Sequence, residues 1–237
     1  MIPNLKTVLM LLYTLIIASF AVVGLLFDPT GRLYIWMARY AWGRVLLAIG
    51  GIRLVVKGGE EILLKQPYVI CANHASQTDI PAIFCGLSIP VRFMAKKSLF
   101  FIPIFGWSMW LARMIPVNRS SSRKARESIR KAAQKVKNGT SVLVFPEGTR
   151  SLDGQVGNFK SGAFVLAAMA GVPILPIAIR GSHDVLPKDS VRVKSGTIEM
   201  IIGSPISVED VATSEKDQLR KRTHDAISRM FETGNPV

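Results

Sequence analysis

Residues 8–27 contain no charged side chain, and their few polar positions are scattered rather than periodic. As a helix this run reaches ~30 Å, about the thickness of a bilayer core. It is apolar all round, whereas a helix on the outside of a soluble core keeps a polar face. A secretory signal has a shorter apolar region, a basic front and a small-x-small cleavage site. Here the front offers only Lys6, and the one cleavage-like string, ASFA at 18–21, lies inside the apolar run. The pattern predicts a retained membrane helix. Asp28-Pro29 ends it and Gly31 supplies a turn. In residues 32–49 the character changes: Tyr34, Trp36, Tyr40 and Trp42 sit among aliphatics, with Arg32, Arg39 and Arg44 between them. Aromatics mixed with arginines suit the membrane–water boundary. Residues 1–50 therefore read as a membrane-associated helical hairpin, one apolar helix and one interfacial helix, ahead of a domain at 51–237.

Beyond the hairpin, short apolar β-branched runs alternate with longer helical periods. Strands are predicted at 53–56, 68–72, 91–95, 114–117, 141–145, 174–179 and 197–202. Helices are predicted at 78–87, 123–137 and 164–170, and from Ser214 onward with Glu215 and Asp217 in the first turn. The stretch 102–112 is apolar but too short to span, so it reads as a core helix or a membrane-touching one. Gly139 and Gly171 stop the helices before them. This alternation implies an α/β fold: a mixed, largely parallel sheet covered on both faces by helices.

Charge adds a partner class. The 237 residues carry 30 Lys+Arg against 16 Asp+Glu, a net charge of +14. Such a balance suits nucleic acid, anionic lipid or an acidic protein. The apolar helix favours lipid, and no helix-turn-helix or single-strand-binding signature is present. Basic residues concentrate between Arg113 and Lys137, which also fits a solvated helix face on the cytoplasmic side. Cys71 and Cys85 are the only cysteines. Two make no disulfide framework and no structural zinc site, and both lie in apolar surroundings that suit small core residues.

The candidate chemistry gathers where predicted strands end, which is where α/β sheets place their sites. NHASQTD (Asn73 to Asp79) follows the strand YVICA, IPVNR ends in Arg119, and FPEGTR (Phe145 to Arg150) follows SVLVF. A metal site needs three or four ligands, and His183 and His224 stand apart from His74. A serine triad needs a nucleophile on a sharp turn such as G-x-S-x-G, and Ser76 is not so placed. Two readings remain. In one, His74 and Asp79 form an acid–base dyad: histidine titrates near neutrality, and a carboxylate on its other ring nitrogen fixes the tautomer. Five residues turn ~500° in a helix, so the pair meets only if His74 sits at or before the helix start and Asp79 lies a turn inside. In the other, Asn73 caps the helix and His74 is a bystander. At FPEGTR, the backbone of Gly148 and Thr149 can face an anion, and the Arg150 fork suits phosphate, as does that of Arg119. Glu147 is suited to a substrate hydroxyl or to orienting Arg150. Lys160 and Gly162 precede a helix and offer further anion territory.

The strings NHASQTD, IPVNR, FPEGTR and VPILPIAI stand in the order and spacing of the four sequence blocks of glycerolipid acyltransferases. The chain resembles the bacterial 1-acyl-sn-glycerol-3-phosphate acyltransferases (lysophosphatidic acid acyltransferases) of that family from about Gly51 to Ser204. FMAKKSLFFIPIFGW and FKSGAF add to the likeness, and Ser98 departs from it where related chains often carry glutamate. The resemblance implies a glycerol-3-phosphate acyltransferase-like fold. It implies acyl transfer from acyl-CoA or acyl carrier protein to the sn-2 hydroxyl of lysophosphatidic acid, with no cofactor, metal or nucleic acid. It implies His74 as base, Asp79 as its partner, Arg119, Glu147, Gly148 and Arg150 as substrate-binding, and Pro176 as structural. The expected setting is the inner membrane, with the catalytic domain facing the cytoplasm.

Overall fold

The computed structural model describes residues 2–25, 27–28, 32–118, 120–208 and 216–237. Within these, α1 (Leu5–Leu25) is followed by α2 (Arg32–Trp36), a π-helical stretch Met37–Gly43, and α3 (Arg44–Gly50). The interfacial helix expected at 32–49 is thus present but widened in the middle. Arg39 Nε donates to Phe84 O at 3.0 Å there. Gly43 lies so close to its neighbour that a Cβ would sit 2.7 Å from Cys85 Sγ.

Seven strands follow: β1 (Ile52–Gly58), β2 (Val69–Ala72), β3 (Val91–Lys96), β4 (Ile115–Val117), β5 (Ser141–Val144), β6 (Ile174–Arg180) and β7 (Gly196–Ile202). They form one sheet in the order β1-β7-β6-β2-β5-β3-β4. β6, β2, β5, β3 and β4 run parallel, whereas β7 is antiparallel to β6 and carries β1 alongside it in parallel. The helices between them are α4 (Asp79–Gly86), α5 (Phe105–Leu111), α6 (Ser122–Lys137), α7 (Gly162–Ala170), the short α8 (Ser182–Val185) and α9 (Lys216–Thr233). A 3₁₀ turn, Lys97–Phe101, precedes α5. The expected helix start at Ser214 lies outside the described residues, as do Pro29 and Gly31.

Strand alternation divides the interior into two layers. Tyr68, Ile70, Ala72, Leu143 and Ile177 face one side and pack with Ala38, Leu47, Ala82, Ile83 and Phe84. Val69, Cys71, Val142, Ile174 and Ala178 face the other and pack with side chains of α6, α7 and α9. Helices therefore cover both faces. Pro176 sits inside β6, where a missing N–H would interrupt a ladder. The run absorbs it: Ile174 and Ile206 exchange both bonds two residues earlier, while the Pro176 carbonyl takes Gly203 N–H at 3.0 Å and the Ser204 N–H turns to Val237 O at 2.9 Å.

Candidate active site

β2, β5 and β6 are parallel neighbours, so their C-terminal ends share one edge of the sheet. The chain leaves β2 through Asn73. Its side chain does not cap a helix, because Nδ2 donates to Ile179 O at 2.9 Å and Oδ1 accepts Ile179 N–H at 2.7 Å. The amide thereby acts as one more rung between β2 and β6, and it fixes where the next residue begins.

That residue is His74, whose side chain is 16% exposed. Asp79 is the first residue of α4 rather than a turn inside it, and its side chain is fully buried. His74 Nδ1 and Asp79 Oδ2 are 2.7 Å apart. The same oxygen accepts Ala75 N–H and Ser76 N–H, each at 2.9 Å. The carboxylate thus organises the turn that brings His74 back to it. All three contacts fall on Oδ2, so this oxygen of the buried carboxylate is satisfied by the imidazole and two backbone donors. The 73–79 segment is a turn folded around one oxygen, so the two side chains meet without sharing a helix face. Ser76 is not placed to act as nucleophile: its buried hydroxyl accepts from Thr78 N–H at 3.1 Å and Thr78 Oγ1 at 2.8 Å.

Three more contacts fix His74, one at its ring and two at its backbone. Phe145, the first residue after β5, stacks on it with centroids 3.9 Å apart and planes 13° from parallel. Glu147 Oε1 accepts His74 N–H at 2.9 Å. Ser151 N–H donates to His74 O at 2.7 Å. In the sequence Phe145 carries no signal of this role beyond an aromatic residue directly after an apolar strand. Glu147 is pushed up to about 7, chiefly by burial, and the Gly157 and His74 N–H groups pull against that shift.

The FPEGTR loop turns tightly, with Gly148 at φ +78° and its N–H donating to Phe145 O at 3.0 Å. Lys160 lies over it, since a Cβ on Gly148 would come 2.9 Å from Lys160 Nζ. Thr149 is exposed and Arg150 half-buried. Lys160 is itself exposed, and its N–H closes the loop onto Pro146 O at 2.9 Å. The structure thus gathers Asn73, His74, Asp79, Glu147, Gly148 and Lys160 at one edge, while Arg119 lies outside the described residues. Pro176 pairs with Cys71 in the β2–β6 register, below the dyad. Among the described residues, no group of three or more His, Cys, Asp or Glu is arranged to hold a metal ion.

The Acyltransferase family model matches residues 53–180. A 1-acyl-sn-glycerol-3-phosphate acyltransferase of Pseudomonas aeruginosa is 32% identical over 207 residues, covering 87% of this chain and 76% of that one. The chloroplastic 1-acyl-sn-glycerol-3-phosphate acyltransferase LPAT1 of Arabidopsis thaliana is 34% identical over 195 residues, 81% of this chain. The match spans only 54% of that plant relative's length. Among solved structures, the crystal structure of the 1-acyl-sn-glycerophosphate (LPA) acyltransferase PlsC from Thermotoga maritima superimposes with a TM-score of 0.80 at 28% identity, covering 96% of this chain and 95% of that one. A family match across the strands that build the dyad, joined to a full-length structural likeness, identifies the chain as a member of the acyltransferase family.

Proposed function

We propose that this chain transfers a fatty acyl group from a thioester, acyl-CoA or acyl carrier protein, to the sn-2 hydroxyl of 1-acyl-sn-glycerol-3-phosphate. The products are phosphatidic acid and a free thiol. The observation that carries the reading is the 2.7 Å pair of His74 Nδ1 and Asp79 Oδ2, with the hydroxyl of the neighbouring Ser76 engaged by Thr78 instead. Asp79 holds the proton-bearing tautomer at Nδ1 and leaves Nε2 as the base. In the reaction, Nε2 takes the proton of the acceptor hydroxyl as its oxygen attacks the thioester carbonyl. The tetrahedral intermediate then expels the thiolate, which recovers that proton from the imidazolium. No acyl-enzyme forms. Asp79 stabilises the imidazolium while it exists.

Arg150 and Arg119 are assigned to the phosphate of the acceptor, for which a guanidinium fork is suited. Lys160, above Gly148, adds a third cation. Glu147 holds the His74 N–H, Asn73 ties the end of β2 to Ile179 of β6, and Pro176 is structural. Residues 1–50 are assigned to membrane docking and 51–237 to catalysis. Leu5–Gly24 has the length and hydropathy of a membrane span and is only 11% buried in the protein. The inner membrane with the domain on its cytoplasmic face is the corresponding setting. The names of the relatives support the acceptor. Thiol release from acyl-CoA with and without lysophosphatidic acid tests it: release independent of the acceptor would refute the assignment. Preference for a lysophospholipid or lyso-ornithine acceptor over lysophosphatidic acid would move the chain to the neighbouring specificity.

A further inference from the structure

The chemistry above leaves the basic stretch of the sequence unused. α6, SRKARESIRKAAQKVK, carries seven Lys or Arg and a single acid, Glu127. All seven cations are exposed. Glu127 is engaged by Lys131 at 2.7 Å, and seven less one leaves an excess of six positive charges along the helix.

Two features separate this face from an ordinary solvated one. The first is its sign at the helix start. A helix N-terminus is itself electropositive, so acids stabilise the first turn and cations oppose it. α6 has no acid there and places Arg123 and Lys124 instead, although Ser121 caps the helix by accepting Lys124 N–H at 3.3 Å. Local helix stability has been given up for charge. The second is placement. α6 packs Ala132, Ala133 and Val136 into the layer opposite the one that receives α3 and α4. β4, β3, β5 and β2 are successively parallel, so the end of β4 lies on the same sheet edge as His74. Asn118 N–H donates to Ser128 Oγ at 3.2 Å and seats the second turn of α6 at that edge. The cations thus start on the site's edge and continue for about 21 Å, at 1.5 Å per residue.

We propose that the exposed face of α6 is a docking surface for an acidic protein bearing the acyl thioester, an acyl carrier protein, which it seats with the thioester toward His74. This inference rests on the acyltransferase reading and names its donor. The length of the strip fits an acidic helix laid along it, whereas a CoA head group concentrates its charge on a few phosphates. A bilayer docked on the apolar α1 lies on the other side of the sheet. Complementary charge of this kind raises association rates and is weakened by salt.

The test compares wild type with Arg123→Glu/Lys124→Glu in full-length protein, using the same acyl chain on CoA and on acyl carrier protein. Glutamates at these positions suit the helix N-terminus, so the thermal midpoint holds or rises. With the carrier-protein donor, KM rises on the order of tenfold or more and its salt dependence flattens. With acyl-CoA, both constants stay within about twofold. Binding of fluorescently labelled, unacylated carrier protein weakens in parallel, a readout that needs no turnover. Equal effects on both donors, no effect on either, or reduced flotation with anionic vesicles in place of a donor effect would overturn the docking surface. Wild-type turnover of lysophosphatidic acid with acyl-CoA reports on the acyltransferase reading independently of these outcomes.

Discussion

At the residue scale, the site is one histidine held by Asp79 and Phe145 at its ring and by Glu147 and Ser151 at its backbone, and the contacts differ in what their loss should do. Removing His74 takes away the base, the stack on Phe145 and one hydrogen bond to the buried Asp79. His74→Ala should therefore lose ~10²–10⁴ in kcat and lower the thermal midpoint modestly while still folding. Asp79→Asn differs, because Asp79 Oδ2 serves His74, Ala75 and Ser76 together. It should lose activity and also stability, by about 1.5–3 kcal/mol for hydrogen bonds to a buried charge. A folded His74→Ala enzyme of near-normal activity would refute the base. Glu147 adds a pH signature. Burial raises its carboxyl to about 7, so between the ordinary carboxylate range and that value the folded state holds the proton more tightly than the unfolded chain. Its contribution to stability is present at low pH and is lost as pH rises through about 7. Glu147→Gln should flatten that part of the pH–stability curve and lower kcat, with a smaller change in KM for the acceptor. A change confined to acceptor KM would return Glu147 to substrate binding. His74 and Asp79 were legible as a pair, but their partners were not. Asn73 meets Ile179 across 106 residues and Glu147 meets the His74 N–H across 73, pairings that only the sheet order creates.

At the element scale, the strands could be read from sequence because a sheet covered on both faces needs continuous apolar runs. All seven were expected within two residues of where they end or begin. The antiparallel β7 was not assigned from its own residues, since direction is a property of the connection rather than of the strand. The π-helical stretch also escaped. It depends on contacts to α4 through Arg39 and Gly43, and the aromatic spacing of 32–49 reads equally well as an ordinary helix. This has a consequence for truncation. α1 buries the small side chains Ala18 and Ala21 and packs Met10 on the core, and polar bonds join this region to the rest, such as Asn4 Nδ2, just ahead of the helix, to Val193 O at 2.7 Å and Tyr13 OH to Ala41 O at 2.6 Å. Residues 32–50, by contrast, bury Ala38, Leu46 and Leu47. Deleting 1–28 should give a folded protein that binds membranes weakly and turns over detergent-dispersed acceptor. Deleting 1–50 should give an aggregating one, because a core face is uncovered. Light scattering and circular dichroism on the two truncations check this, and equal solubility of both would show that 32–50 is an anchor only.

At the scale of the whole molecule, apolar exposure and basic exposure are on different sides of the sheet. α1 leaves Leu5, Phe20 and Val23 exposed at 60% or more, and α5 packs beside it. The segment leading into α5 exposes Phe101, and α5 itself exposes Trp107 and Trp110. The aromatic segment was read from sequence as a core helix or a membrane-touching one. The structure divides it: Phe100 and Met109 turn inward while Phe101 and Trp107 turn out. Lys97 lies 5.9 Å from the Phe101 ring, a pairing suited to a ring entering the interface with its cation at the head groups. α1 and this segment thus form one apolar surface of the kind the proposed bilayer docking requires, and the dyad opens at the sheet edge between that surface and the cations of α6. An acceptor lipid can then stay in the membrane while only its head group reaches His74. Phe101→Ser/Trp107→Ser tests this arrangement without touching the interior; Trp110 is left intact because its ring packs on the buried Phe100 at 5.1 Å. Partial burial of each ring in lipid contributes about 1.5 kcal/mol, so partition onto vesicles should weaken on the order of tenfold per ring. KM for vesicle-borne acceptor should rise accordingly. In detergent micelles, where delivery from a bilayer is not required, kcat should stay close to wild type. Full flotation of the double variant would assign membrane contact to α1 alone, and loss of kcat in micelles would place these rings in the acyl-chain path.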